Sequence, residues 1–215
     1  MALGLPASAA SGDFKPIVKY DARAGRMFRI DRVESNGQFE SVPTEITQGF
    51  AAVFDLANIE VGYVRFHEGG APEWAMVKIG QPLPAKPNAD FRQGFRCNIK
   101  LAKNSGGSVR EFASAASCVI GAVDGLHTAY LAAPESKAGK LPIVSMTGTA
   151  MVKSGSGAKT STNYAPTLVI TGWIDRPADL AVDVRPVASS VAPPVSRPAP
   201  AQTPAPNDFD DDIPF

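Results

Sequence analysis

Between residues 91 and 103 the chain alternates with near-strict regularity: Phe91, Phe95, Cys97, Ile99 and Leu101 fall on one side, and Arg92, Arg96, Asn98 and Lys100 fall on the other. A repeat of two is that of a β-strand, whose successive side chains point to opposite faces of a sheet. One side reads as core and the other as a basic row turned to water. The fold must therefore contain a sheet with one covered face. Residues 58–66 and 74–79 read as two further strands around the turn signal Glu68-Gly69-Gly70-Ala71-Pro72.

After the turn Asn104-Ser105-Gly106-Gly107, Ser108 and Glu111 have the spacing of a capping box, which predicts a helix starting there. Phe112, Ala116, Val119, Ile120, Val123, Leu126 and Tyr130 recur at three- and four-residue intervals as its buried stripe, leaving Arg110, Ser114 and Asp124 in water. Gly121 and Gly125 weaken such a helix by about 1 kcal/mol each relative to alanine and suggest close packing against a neighbour. Pro134 marks its end. Residues 141–153 and 165–174 then read as a long hairpin around a mobile loop at 154–164, and additional strands are expected at 14–20, 26–33 and 39–47. Three strands, a helix and two strands is the chain order of an oligonucleotide/oligosaccharide-binding (OB) barrel, which takes its ligand on an open strand face flanked by loops. The expected fold is mainly β: an OB-fold-like barrel with additional strands and one long helix between the third and fourth barrel strands.

The domain organisation follows from composition. Residues 1–13 read as a flexible arm, because no Lys or Arg precedes Lys15 and the apolar run is too short for a signal peptide. Residues 14–186 form the body. Residues 187–206 hold six prolines, five alanines and no aromatic residue, so they read as a disordered, extended tether of up to ~60 Å. Residues 207–215 are an acidic tip. The 21 basic and 21 acidic side chains of the chain cancel. Four of the aspartates, however, lie in the tip and only Arg197 among the bases lies beyond Pro186, so the body keeps a charge of about +3.

Enzymatic and metal-binding readings meet specific obstacles. Cys97 and Cys118 are too few for a disulfide framework or a thiolate zinc site and suggest a reduced, cytoplasmic setting. His67 and His127 have no partner at metal-ligand spacing. Gly155-Ser156-Gly157-Ala158-Lys159-Thr160 lacks the glycine a phosphate loop needs before its lysine, and a strand rather than a helix is expected after it. No stretch approaches the ~18 apolar residues of a membrane span. No cofactor is expected.

Binding a single strand without sequence preference needs cations for phosphates and exposed rings on which bases stack. Arg92, Arg96, Lys100 and Lys103 form the most regular basic row, and Lys15, Lys19, Arg23, Arg26, Arg29 and Arg32 a denser N-terminal cluster. Trp74 beside the Gly-Gly turn and Tyr164 at the base of the lysine-bearing loop are the candidate stacking platforms, with Lys153 and Lys159 flanking that loop. Phe91, Phe95 and Trp173 read as core, and Tyr20 and Phe28 fit either role. About five neutralised phosphates would give a salt slope of about −3.5.

The final Asp208-Phe209-Asp210-Asp211-Asp212-Ile213-Pro214-Phe215 resembles the C-terminal tip of bacterial single-stranded DNA-binding proteins. The body is similar to the phage and prophage branch of those proteins through residues 53–62 (Val-Phe-Asp-Leu-Ala-Asn-Ile-Glu-Val-Gly), 110–114 (Arg-Glu-Phe-Ala-Ser) and 172–177 (Gly-Trp-Ile-Asp-Arg-Pro). That resemblance implies a non-catalytic protein of a bacterial or phage-infected cell, a possible homo-oligomer. It would coat single-stranded DNA and offer Asp208, Phe209, Asp210, Asp211, Asp212, Ile213, Pro214 and Phe215 to replication, recombination or repair proteins. Ile213 and Phe215 supply apolar area, and the aspartates steer toward cationic partners. An adaptor with the same tip but a protein-binding body, and more remotely a phosphotransfer enzyme or nuclease, are the alternatives.

Overall fold

In a computed structural model, residues 16–35, 37–67, 71–154 and 160–180 are described. The arm, Lys159, the tether and the tip all lie outside those residues. The chain order is β1 (Ile17–Asp21), β2 (Arg26–Ser35), β3 (Gln38–Glu45), β4 (Ala51–Phe54), a 3-10 turn (Leu56–Asn58), β5 (Glu60–Arg65), β6 (Glu73–Lys78), β7 (Arg92–Leu101), a second 3-10 turn (Lys103–Ser105), β8 (Val109–Ser114), α1 (Ser117–Ala132), α2 (Pro134–Lys137), β9 (Leu141–Ser154) and β10 (Ser161–Ile174).

The alternating segment is β7, and it organises the rest. One of its edges pairs antiparallel with β5 over Arg92 to Arg96 and with β4 over Ile99 to Leu101, while its other edge pairs with β8. Outward from β8 run β1, joined in parallel, then β2 and β3; outward from β4 run β9 and β10, and β6 pairs with β5. Phe95, Cys97, Ile99 and Leu101 are buried together with Phe54 and Phe112, as the alternation requires. Phe54 and Phe112 meet edge-on with ring centroids 6.0 Å apart, and Phe95 and Phe112 at 5.4 Å.

The fold is mainly β with one long helix, but the hydrogen-bonded ladder runs from β10 to β3 and those two strands do not pair, so the sheet is open. The two arms of the sheet nevertheless touch. Tyr164 of β10 donates its backbone N–H to Ala22 O at 2.7 Å, and the Tyr20 hydroxyl donates to Tyr164 O at 2.9 Å. Among the described residues no helix is long and apolar enough to cross a membrane.

The helix does not begin at Ser108. Residues 109–114 are strand β8, and α1 starts at Ser117 without a side-chain cap. Two open ladder edges, on β7 and β1, offered this segment more backbone hydrogen bonds than one capped helical turn would. Phe112 therefore enters the core from a strand. Arg110 is not in water but 7% exposed, donating to Ile30 O and pairing with Asp31. Burial opposes charge on Asp31, yet the hydrogen bond and charge of Arg110, joined by Arg29, outweigh it and hold its pKa below the ordinary carboxylate value. The rest of the stripe stands, since Val119, Val123, Leu126 and Tyr130 are buried and Tyr130 stacks on Trp173 of β10. Strand β10 also begins at Ser161, inside the segment expected to be loop, because residues 161–164 pair with residues 151–154.

Two consequences are measurable. Gly121 and Gly125 face open space, with nothing within 4 Å of an added Cβ, so the close packing they suggested is not there. Gly121→Ala and Gly125→Ala should each stabilise the fold by up to about 1 kcal/mol, read as a raised melting temperature. Burial, followed by the charges of Cys118 and Asp21, pushes the Tyr20 hydroxyl up to about 12. The folded state thus holds its proton more tightly than an unfolded chain, where tyrosine titrates near ~10. That stabilisation is complete below ~10 and is lost as pH rises through about 12. Tyr20→Phe should flatten this alkaline loss in urea titrations.

Candidate nucleic-acid interface

Side chains directly opposite across paired strands share a face, so the registers of β5, β6 and β7 define three rows on the side away from the core. They are Trp74–Val64–Arg92, Met76–Gly62–Gly94 and Lys78–Glu60–Arg96. The middle row is bare at its centre for a steric reason. A Cβ on Gly62 would lie 2.2 Å from Ala75 O, and one on Gly94 2.8 Å from Ser114 O and 2.9 Å from a Val64 methyl. The Arg96 guanidinium lies 5.1 Å from the centroid of the Trp74 ring. Phe66, at the end of β5, meets Trp74 edge-on at 5.9 Å and is 54% exposed.

The expected basic row is only partly free. Arg96 is 12% exposed and its Nε donates to Glu60 Oε2 at 2.5 Å, so its charge is neutralised and its plane serves to hold Trp74. Lys100 donates to Asp179 at 2.8 Å, and that hydrogen bond holds the Asp179 carboxyl below its usual range. Arg92 and Lys103 are exposed and make no ion pair among the described residues. An alternation pattern assigns a face but not the partner on the neighbouring strand, which is why these two ion pairs were not readable.

On the opposite side of the β5–β6 hairpin, Arg65 binds Glu73 at 2.6 Å, and the His67 ring nitrogen lies 2.7 Å from the same carboxylate. Hydrogen bonding from Arg65, then His67, pulls the Glu73 pKa down. This network braces the hairpin that carries Phe66 and Trp74. Phe66 was not singled out in the sequence, although the repeat Glu60, Gly62, Val64, Phe66 would have placed it beside Trp74 once the hairpin register was known.

Tyr164 is not a free platform. Its ring packs on Gly25, where an added Cβ would lie 3.1 Å from Tyr164 Cβ, and its backbone is held by Ala22 and Tyr20. Lys153 lies two residues beyond Met151, the partner of Tyr164, on the same face of the β9–β10 hairpin, and is exposed. The predicted contacts therefore fall into two groups: Trp74, Arg92 and Arg96 on the β5–β6–β7 face, and Tyr164 with Lys153 on the hairpin. Phe91 and Phe95 are buried, as expected for core.

No group of His, Cys, Asp or Glu among the described residues could hold a metal ion. Burial pushes the Cys97 thiol up and the His127 ring down. The most deeply buried carboxylate among the described residues, Asp55 at 2% exposure, is held by two hydrogen bonds from Arg176 at 2.6 and 2.7 Å and two contacts from Asn58 at 3.0 Å. It is structural, tying the segment after β10 to the turn after β4. Neither a known protein family, nor a curated protein, nor a solved structure matches this chain.

Because Asp55 has no access to water, Arg176→Met should cost about 3 kcal/mol of stability, the penalty for stranding a buried charge. Urea denaturation checks this, and a loss under ~0.5 kcal/mol would show that Asp55 is supported by other means.

Proposed function

We propose that this chain binds single-stranded DNA on the outer face of β5, β6 and β7 and presents it to DNA-processing proteins through the acidic peptide at residues 208–215. The observation that carries this reading is the Trp74–Phe66 pair, two aromatic rings outside the core, with Trp74 in the row that runs through buried Val64 to Arg92, a cation with no ion pair among the described residues. An exposed ring contributes little burial energy to the fold, and bases stack on aromatic faces for ~1–3 kcal/mol each whatever their identity. Arg96, itself fixed by Glu60, holds Trp74 in place before ligand arrives, which lowers the entropy cost of binding. The contact between Tyr164 and Ala22 at the two arms of the sheet favours an OB-like barrel over a flat sheet. The tip supports delivery, since its sequence pairs a cation-seeking aspartate run with an apolar Ile-Pro-Phe plug.

Titration of the whole protein with fluorescein-labelled oligo-dT tests the reading. With Arg96 and Lys100 held in ion pairs, about three phosphates remain to be neutralised, so log affinity should fall with log salt at a slope of about −2. Trp74→Ala should weaken binding roughly ten-fold or more. A slope near zero, or full affinity in Trp74→Ala, would overturn the assignment.

A further inference from the structure

The ladder registers continue the Arg96 row well beyond β7. Arg96 lies opposite Ala113 of β8. In the parallel pairing of β8 with β1, Ile17 matches Glu111 and Val18 matches Phe112, where the ladder ends, and Lys19 and Ala113 are the next residue of each strand. Lys19 lies opposite Phe28 of β2, and Phe28 opposite Glu45 of β3. Every member of this line is on the side away from the core, because Val18, Tyr20, Met27, Phe95, Cys97 and Phe112, their neighbours in sequence, are the buried ones.

We infer that the DNA path crosses the strands along this line, from Trp74 over Arg96, Ala113 and Lys19 to a second stacking station at Phe28. This inference rests on the proposed function and extends its site to residues outside the β5–β6–β7 face. Three features of the line support it. Ala113 is a small residue between two long ones, so the surface dips where a polynucleotide would cross β8. Lys19 is exposed and makes no ion pair among the described residues, so its charge is available to a phosphate. Phe28 is a half-buried ring on the outer face and the direct cross-strand partner of Lys19, so a cation stands beside a ring there as Arg96 stands beside Trp74. The line ends at Glu45, whose carboxylate is paired with Arg26 at 3.1 Å, so no free cation continues it past β3. At ~4.8 Å per strand the line from β6 to β2 spans about 24 Å. That suits a footprint within the ~4–16 nucleotides typical of such faces.

The test compares wild type, Phe28→Leu, Lys19→Ala and Trp74→Ala by anisotropy with dT4 and dT16. Leucine keeps the apolar volume of Phe28 and removes the ring, so the fold is preserved. Phe28→Leu should weaken dT16 roughly ten-fold and leave dT4 within about two-fold. Lys19→Ala should make the dT16 salt slope shallower by ~0.7, a change that a purely structural role would not produce. Photo-crosslinking with iodouracil-substituted dT16 should label β2 as well as the β5–β6 hairpin. If Trp74→Ala weakens binding while Phe28→Leu and Lys19→Ala behave as wild type and β2 is unlabelled, the extended path is wrong and the Trp74 face stands alone. If wild type binds neither oligonucleotide, the proposed function itself falls and the path with it.

Discussion

A strand hydrogen-bonded on both edges and buried on one face cannot shift by a single residue, because the shift would turn Phe95, Cys97, Ile99 and Leu101 to water and bring Arg96, Asn98 and Lys100 into the core. β7 is under that constraint along most of its length. Its register sets those of β4, β5 and β8, and β8 in turn positions β1 and through it β2 and β3. The outer face inherits this precision. Rows such as Trp74–Val64–Arg92 are rows only because the inner face permits one alignment.

The polar interior serves the same end. Asp55–Arg176 fastens the segment after β10 to the turn after β4, and Arg110–Asp31 fastens β8 to β2 across the intervening β1. Each joins pieces far apart in sequence, and the buried member of each, Asp55 or Arg110, would be a costly charge if left alone. Among the described residues no buried side-chain polar atom lacks a partner. The surface is different in kind, for Phe66 is left exposed and Trp74 partly so.

Much of this was legible in one dimension. The alternation of β7, the β5–β6 hairpin, the β9–β10 pair and the buried stripe Val119, Val123, Leu126 and Tyr130 of α1 are local patterns, set by periods of two and near 3.6. The misreadings share a cause. Ser108-x-x-Glu111 has the form of a helix cap, but residues 109–114 found two open strand edges, and a segment's competing partners are not written next to it. Arg96 and Lys100 were placed on the right face but read as free, since Glu60 and Asp179 are 36 and 79 residues away. Tyr164 read as exposed for want of Gly25, its packing partner.

Side-chain periodicity and composition alone determined that this chain builds a half-covered sheet with one helix, and that an acidic, phenylalanine-ended peptide follows a proline-rich stretch. Which cations remain free, which cation stands beside Trp74, and which strand brings Phe28 opposite Lys19 were decided only by tertiary structure. The physical reason is that periodicity specifies a direction for each side chain, whereas availability to a ligand depends on the neighbour brought alongside by strand pairing.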